Sequence, residues 1–257
     1  AYYAIVRADA VVVPVNPMNR TEELKHYVED SDAAVAIAGQ DVFRHLEPLG
    51  MKQVIVAAYS DYIDPATDLP LPDFVRAPRQ DLGIRWEGAL QAALQPSAHQ
   101  AQPEDLAVMP YTSGTTGKPK GCIHTHASVQ ATTVPYLYWR GVQDHSVVLS
   151  ALPLFHVTGM QAGMNAPLHL ASTIVLLSRW DRDCAAMQIE RAKVTNWSAI
   201  TTMMVDFLSN PNLRKYDLSP EDSAFVVSSS GCNLVPIEIA EGFRKVGMKV
   251  VVLTAYA

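Results

Sequence analysis

Short apolar runs alternate with segments of helical spacing along the second part of the chain. The apolar runs fall at residues 106–111, 147–152, 173–177, 195–200, 225–228 and 249–253. The helical segments between them fall at residues 125–138, 159–170, 181–193, 202–208 and 236–246. The runs are apolar throughout rather than alternating, which is typical of strands that are buried on both faces of a sheet. The pattern predicts an α/β fold with mostly parallel sheets that are covered by helices on both faces.

The first part of the chain contains the same kinds of element at less regular intervals. Runs of strand length fall at residues 10–15, 33–38 and 54–57. Residues 1–8 are typical of the end of a helix, and Thr21 is placed to cap a second helix. Residues 59–104 are rich in proline and aspartate. They predict a surface excursion with one short helix near residues 86–94.

Composition narrows the class of protein. Hydrophobic residues make up 49% of the 257 residues and charged residues 18%, so the chain can bury a sizeable core. The net charge is -6 and no stretch forms a basic face, so a nucleic acid is not an expected partner. The three cysteines are widely spaced, which favours a reducing compartment. No apolar run reaches the roughly 18 residues of a transmembrane helix, and no secretory signal pattern is present, so we expect a cytoplasmic protein.

The most informative segment is the run of glycine, hydroxyl and lysine residues at positions 111–121, which reads Tyr-Thr-Ser-Gly-Thr-Thr-Gly-Lys-Pro-Lys-Gly. Glycines let backbone N–H groups approach an anion, hydroxyls donate to phosphate oxygens, and lysines add positive charge. The spacing excludes a Walker-type loop, because only two residues separate Gly114 from Gly117 and Pro119 follows Lys118. The segment therefore predicts a polyphosphate-binding loop that is not of the Walker type.

This segment resembles the signature loop of the adenylate-forming (AMP-binding) superfamily, which includes acyl-CoA synthetases, luciferases and peptide-synthetase adenylation domains. The resemblance extends over nearly the whole chain and is closest to fatty-acid–CoA ligases. It implies that residues 1–257 are a partial N-terminal adenylation domain, truncated at both ends and without the small C-terminal domain. Residues 1–104 would be its first part, and residues 105–257 would be the part that binds ATP and the acyl group.

The resemblance also implies roles for individual residues of the nucleotide site. Thr116 and Lys120 would be catalytic. The ATP phosphates would be held by Thr112, Ser113, Gly114, Thr115, Gly117 and Lys118. The turn formed by Ser230, Gly231, Cys232 and Asn233 departs from the glycine-rich pattern of the family. Together with Tyr256, it would hold the adenine.

Residues 152–159 resemble a second core segment of the family, in which an aromatic residue or histidine lies between the nucleotide and the acyl site. His156 would then orient the substrate carboxylate, with Gly159, Met160 and Thr202 beside the acyl group. From the residues alone, His156 could equally be a hydrogen-bonded core histidine, and Met160 could be ordinary core packing. A metal site at Cys122, His124 and His126 requires one extended strand and a fourth ligand. No fourth ligand is evident, and we predict no protein metal site.

The activity implied by the resemblance is the ATP-dependent conversion of a carboxylic acid to an acyl-adenylate and then to a CoA thioester. A fatty acid is the expected substrate, and ATP, Mg²⁺ and coenzyme A are the expected cofactors and co-substrates. We expect this chain alone to be inactive, because the family's magnesium-binding glutamate and catalytic lysine lie outside it. An adenylation domain that feeds an amino acid or aryl acid to a carrier protein is one alternative. A non-catalytic nucleotide-binding relative is another, and a homodimer is left open as the oligomeric state.

Overall fold

The computed structural model describes residues 1–112, 118–140, 142–216, 223–228, 234–245 and 247–254. The chain divides into two compact units. The first comprises Ala1–Trp139 and Pro153–Gln161, and the second comprises Arg140–Leu152 and Ala162–Ala257. The boundary predicted near residue 104 falls inside the first unit. Both units contain parallel strands and helices, which confirms the predicted α/β class.

The first unit opens with helix α1 (Tyr2–Arg7), as the sequence predicts. The strand predicted at residues 10–15 is wrong, since only Val12 forms a bridge, parallel to Val108. The Val12 N–H donates to the Ala107 carbonyl at 2.9 Å. Pro14 has no N–H to extend this pairing, so the buried Val12 remains an isolated bridge.

A helix and two parallel strands follow. They are α2 (Thr21–Ser31), β1 (Val35–Gly39), the short α3 (Phe43–Leu46) and β2 (Gln53–Ala57). The prediction that Thr21 caps α2 is wrong, because Thr21 is already helical and Arg20 is the cap residue. The Glu23 carboxylate accepts from the Arg20 N–H at 2.8 Å and satisfies this end of the helix. Leu24 is the buried residue of the helix.

The proline-rich segment contributes more regular structure than the sequence predicts. It contains α4 (Asp73–Arg76), β3 (Ile84–Arg85) and the expected short helix α5 (Trp86–Gln91). Strand β3 joins a three-stranded parallel sheet in the order β1-β2-β3. The buried Gln40 fixes the segment, since its amide donates to the Pro78 carbonyl at 3.0 Å and its Oε1 accepts from the Gln80 N–H at 2.9 Å.

The rest of the first unit holds two short antiparallel pairs and a long helix. The elements are β4 (Leu106–Val108), β5 (Tyr111–Thr112), β6 (Lys120–Gly121), β7 (His124–Thr125) and α6 (His126–Arg140). The predicted strand at residues 106–111 is divided, with β4 pairing with β7 and β5 pairing with β6. His126 begins α6, so Cys122, His124 and His126 do not share one strand.

The helix predicted at residues 159–170 consists of three successive pieces. They are α7 (Val157–Met160), a π-helical turn (Gln161–Asn165) and α8 (Ala166–His169). The π-helical turn spans the point at which the chain passes from the first unit to the second. In the second unit, Gly163 lies against Ser150, which leaves no room for a larger residue in this turn.

The second unit contains a parallel sheet in the order β10-β8-β9. Its strands are β8 (Val147–Ser150), β9 (Thr173–Leu176) and β10 (Asn196–Trp197), with helices α9 (Arg182–Ala192) and α10 (Thr201–Leu208). The core beside the sheet centres on Leu149, Ala185, Ala186 and Phe207, all at most 2% exposed. The Trp180 and Trp197 rings stack beside it, with centroids 5.4 Å apart.

A second parallel pair completes this unit. Strands β11 (Ser223–Ser228) and β12 (Lys249–Thr254) pair along their full length, with α11 (Leu234–Lys245) between them in sequence. Ile239 and Phe243 are buried beside Met204 and Leu208. Within the described residues of both units, no helix combines the length and the apolar character needed to cross a membrane.

Candidate functional site

The strands β5 and β6 form the two stems of a hairpin whose loop comprises residues 113–119. Thr112 pairs with Lys120, and Tyr111 pairs with Gly121. Since directly opposed residues of an antiparallel pair share a face, the Thr112 hydroxyl and the Lys120 side chain lie on the same side of the hairpin. Both residues are exposed, and so is Lys118. The hairpin therefore brings together a hydroxyl and two ammonium groups that can reach an anion.

Neither lysine of this hairpin is neutralised within the described part of the chain. The salt bridges of that part involve other cations, and neither Lys118 nor Lys120 takes part in them. An unpaired ammonium group near an exposed hydroxyl gains more from a bound phosphate than one that already has a carboxylate partner. The charge arrangement thus suits a multiply charged anion.

Ten of the residues predicted for the nucleotide lie outside the described residues. They are Ser113, Gly114, Thr115, Thr116, Gly117, Ser230, Gly231, Cys232, Asn233 and Tyr256. Their roles remain predictions. Thr112, Lys118 and Lys120 are the members of the predicted phosphate clamp that the structure brings together.

Helix α2 packs against the hairpin, and sequence reasoning missed this contact. The Tyr111 hydroxyl donates to Asp30 Oδ2 at 2.6 Å, and the Tyr27 and Tyr111 rings lie with centroids 4.5 Å apart. His26 Nε2 lies 2.9 Å from the Pro119 carbonyl oxygen; because a carbonyl only accepts, this nitrogen carries the proton. Burial raises the pKa of the Tyr111 phenol, and the neighbouring Asp30 raises that pKa further.

His156 lies at the start of α7, and its imidazole is exposed. This excludes the core-histidine interpretation. Its Nδ1 accepts a hydrogen bond from the Thr158 N–H at 3.3 Å, so in the neutral ring the proton lies on Nε2. That N–H remains able to donate to a carboxylate. Next to it in sequence, Gly159 and Met160 are buried, with Met160 only 2% exposed.

The position of α7 within the first unit is fixed by Gln161, whose contribution the sequence did not reveal. Its Nε2 donates to the Val129 carbonyl at 3.2 Å, and its Oε1 accepts from the Thr133 hydroxyl at 3.3 Å. Both partners lie in α6, so the segment that carries His156 is attached to that helix. Thr202, the remaining acyl-site candidate, is exposed in the first turn of α10 in the second unit.

Comparison with known proteins agrees with this architecture. A family model described as "AMP-binding enzyme" matches residues 1–257. The chain therefore belongs to the AMP-binding enzyme family. Within that family, it is 30% identical over 269 aligned positions to a long-chain-fatty-acid–CoA ligase of Bacillus subtilis, with 96% of this chain and 46% of that protein covered. It is 28% identical to a 4-coumarate–CoA ligase-like protein of Arabidopsis thaliana, with 95% and 40% covered.

Solved structures of similar fold include a benzoate CoA ligase from Burkholderia xenovorans. That structure has a TM-score of 0.74 at 22% identity, over 99% of this chain and 47% of its own. An anthranilate CoA ligase bound to anthranoyl-AMP has a TM-score of 0.77 at 20% identity, over 97% and 46%. At these identities the likeness establishes the fold. The chain spans about half the length of the curated relatives it matches.

Proposed function

We propose that the intact protein, meaning this chain with any sequence that adjoins it, activates a carboxylic acid with ATP and transfers the acyl group to coenzyme A. The observation that carries the proposal is the hairpin in which Thr112 opposes Lys120, with Lys118 also exposed. These groups flank the loop whose sequence resembles the phosphate loop of the adenylate-forming enzymes. Membership of the AMP-binding family supports the same reaction.

The chemistry of the first step is a displacement at phosphorus. A carboxylate oxygen of the acid attacks the α-phosphate of ATP, the bond to the bridging oxygen breaks, and pyrophosphate leaves with the electron pair. The protein's task is to orient the reactants and to neutralise the developing charge. Lys118, Lys120 and the Thr112 hydroxyl would hold the β- and γ-phosphates. The Nε2–H of His156 would donate to the attacking carboxylate and orient it.

In the second step, the thiolate of coenzyme A attacks the acyl carbon, and AMP leaves as a thioester forms. ATP is expected as its Mg²⁺ complex. Such sites use one or two carboxylates together with phosphate oxygens, and the metal would offset phosphate charge. The described residues contain no cluster of three His, Cys, Asp or Glu side chains arranged for a metal.

A fatty acid is the proposed acid. The 30% identity to a long-chain-fatty-acid–CoA ligase supports this choice. Other relatives and neighbours act on different acids by name, including malonate and benzoate. Phe155-His156 carries no carboxylate to hold a substrate amino group, which argues against an amino acid as the substrate.

The test is acid-dependent exchange of labelled pyrophosphate into ATP by the intact protein, with short, medium, long and aromatic acids in parallel. We expect exchange with aliphatic acids and a loss of about 100-fold in Lys120→Ala, because that ammonium group stabilises transition-state charge. Lys52→Ala removes an exposed lysine that lies just before β2 and should leave exchange unchanged. ATP binding without exchange for any acid would instead favour a non-catalytic nucleotide-binding relative.

The 257 residues alone should not form the thioester, since they span 46% of the length of the Bacillus relative. Thioester formation at the rate of the intact protein would contradict this.

The small number of cysteines supports a cytoplasmic location. Transfer to a carrier protein instead of coenzyme A is the alternative, and omission of coenzyme A from the assay distinguishes the two acceptors.

A further inference from the structure

Helix α2 contacts the hairpin formed by β5 and β6 on both sides of its loop. On the strand that enters the loop, Tyr111 donates to Asp30 at 2.6 Å. Immediately before the strand that leaves it, the Pro119 carbonyl accepts from His26 at 2.9 Å. One helix therefore fixes both stems of the hairpin, and a displacement of that helix would move both stems together.

The contacting residues lie on one face of a well-anchored helix. His26 and Asp30 are four residues apart, which places them one above the other, and Tyr27 packs its ring against Tyr111. The same helix buries Leu24. A side chain that is presented by a packed helix holds its partner more precisely than one on a loop. Helix α2 thus provides a rigid support for the hairpin.

The contacts to α2 leave the anion-binding side chains of the hairpin free. Thr112 follows Tyr111, and Pro119 lies between Lys118 and Lys120. Successive residues of an extended strand point to opposite faces. On the entering strand, the side chain that α2 holds thus points away from the Thr112 hydroxyl. Immediately before the leaving strand, α2 holds the Pro119 backbone, and both neighbouring lysines are exposed.

We propose that α2 is the positioning element of the polyphosphate clamp, in which Asp30 and His26 set the locations of Thr112, Lys118 and Lys120 for the β- and γ-phosphates of ATP. This inference rests on the proposed function, because it requires that the hairpin binds a nucleoside triphosphate. In this arrangement Asp30 and His26 contact Tyr111 and Pro119 and would not need to touch the phosphates. Their effect is transmitted through the two stems of the hairpin.

The affinities for AMP and ATP, measured on the same variant, distinguish a positioning role of α2 from a general effect on the stability of the protein. The two nucleotides share adenine, ribose and the α-phosphate, but only ATP has the phosphates that the hairpin would hold. A variant in which the clamp is displaced should therefore bind ATP more weakly and AMP as before. A variant in which the whole domain is loosened should bind both more weakly.

The central variant is Asp30→Ala in the intact protein, with Mg²⁺-ATP and AMP affinities measured by calorimetry. We expect the ATP dissociation constant and the KM for ATP to rise roughly tenfold, with the KM for the acid and the AMP affinity unchanged. Asp30→Asn keeps an acceptor oxygen for the Tyr111 hydroxyl and should recover most of the ATP affinity. The matched control is Glu29→Ala, which removes the same charge from the adjacent exposed residue, whose salt-bridge partner is Lys25 at 3.9 Å.

The second stem is tested independently. His26→Ala removes the donor to Pro119 and should weaken ATP binding in the same selective way, whereas His26→Gln retains an N–H donor and should restore part of it. The Asp30→Ala and Tyr111→Phe changes remove the two ends of one hydrogen bond. Combined, they should weaken ATP binding little more than either does alone.

Each outcome decides the matter. A selective loss of ATP affinity in Asp30→Ala, absent from Glu29→Ala and reversed in Asp30→Asn, would support the inference. Equal losses for ATP and AMP in Asp30→Ala would assign α2 to overall stability and overturn the inference. An unchanged ATP affinity in Asp30→Ala would also overturn it, provided that the wild-type protein carries out pyrophosphate exchange. If the wild-type protein bound neither ATP nor pyrophosphate, the proposed function and the inference would both fall.

Discussion

The substitution Gly163→Ala should destabilise the second unit through a single contact. A Cβ at this position would lie 2.3 Å from Ser150 Oγ and 3.2 Å from Ser150 Cβ. Gly163 is buried in the π-helical turn, and Ser150 is only 2% exposed at the end of β8. The oxygen would overlap the new methyl group by about 1 Å, because ordinary carbon contacts are about 3.5–4.0 Å. Either the Ser150 side chain or the turn must shift.

The change in the free energy of unfolding in Gly163→Ala is the difference between two opposing effects. Overpacking of a buried site costs about 1–3 kcal/mol, while replacing glycine by alanine in a helical segment gains about 0.5–1 kcal/mol. We expect a net loss of about 1–2 kcal/mol in the free energy of unfolding. For a chain of this size, each 1 kcal/mol lowers the Tm by about 2–4 °C.

Urea and thermal denaturation of the intact protein would measure this loss, and Ser150→Ala tests its cause. Ser150 Oγ is buried without a hydrogen-bond partner among the described residues, so its removal alone should cost little. In the double variant, the closest contact becomes the Ser150 Cβ at 3.2 Å, which a shift of a few tenths of an ångström relieves. The double variant should therefore recover about 1 kcal/mol of the loss.

Gly88→Ala is the matched control for this experiment. Gly88 lies in α5, where a Cβ would meet only the Arg85 Cβ at 3.8 Å, an ordinary contact. The same substitution should therefore leave the protein as stable as before or slightly more stable. If Gly163→Ala lowers stability no more than Gly88→Ala does, or if Ser150→Ala brings no recovery, the steric reasoning is refuted.

Three further predictions concern ionisation and packing. The pKa of Tyr111 is raised in the folded protein, which means that folding favours the protonated phenol. The stability lost in Tyr111→Phe should therefore be constant below about pH 10 and shrink above it. Denaturation at pH 7 to 11 would show this, and a constant loss throughout would contradict it. Leu149→Ala should cost about 2–5 kcal/mol in urea denaturation, whereas Leu149→Met should cost less than about 1.5 kcal/mol, because Leu149 is 1% exposed at the core centre. Burial, with Asp181 nearby, raises the pKa of the Cys184 thiol. Alkylation of the native protein at pH 8 should thus proceed at the same rate in Cys184→Ser.

Much of the regular structure follows from hydrophobic pattern alone. The strands β8 and β9 and the helices α9 and α10 lie close to their predicted positions, because short apolar runs and amphipathic segments carry a local signal. The strand predicted at residues 10–15 fails for a local reason as well. An apolar run is not a strand unless its N–H groups can pair, and Pro14 removes one of them.

Only part of the candidate site can be predicted from the sequence. Lys118, Lys120 and Thr112 are recognisable because they lie in one short segment of distinctive composition. Asp30 and His26 are not, because they are 81 and 93 residues away from their partners in the hairpin. No periodicity or spacing encodes such a contact. The contacts that hold the hairpin in place are therefore found from the structure and not from the sequence.

The attachment of Gln161 to α6 has a consequence for the order of events during synthesis. The chain leaves the first unit after Trp139 and returns to it for Pro153–Gln161. Thr133 is buried and bonds to Gln161, so α6 cannot reach its final packing until that residue has emerged from the ribosome. Residues 140–152 emerge before Gln161, whereas β9 and β10, the partners of β8, emerge after it. The segment 140–152 must therefore wait while the first unit is completed, and a recombination event that exchanged only the first unit would need three crossovers rather than one.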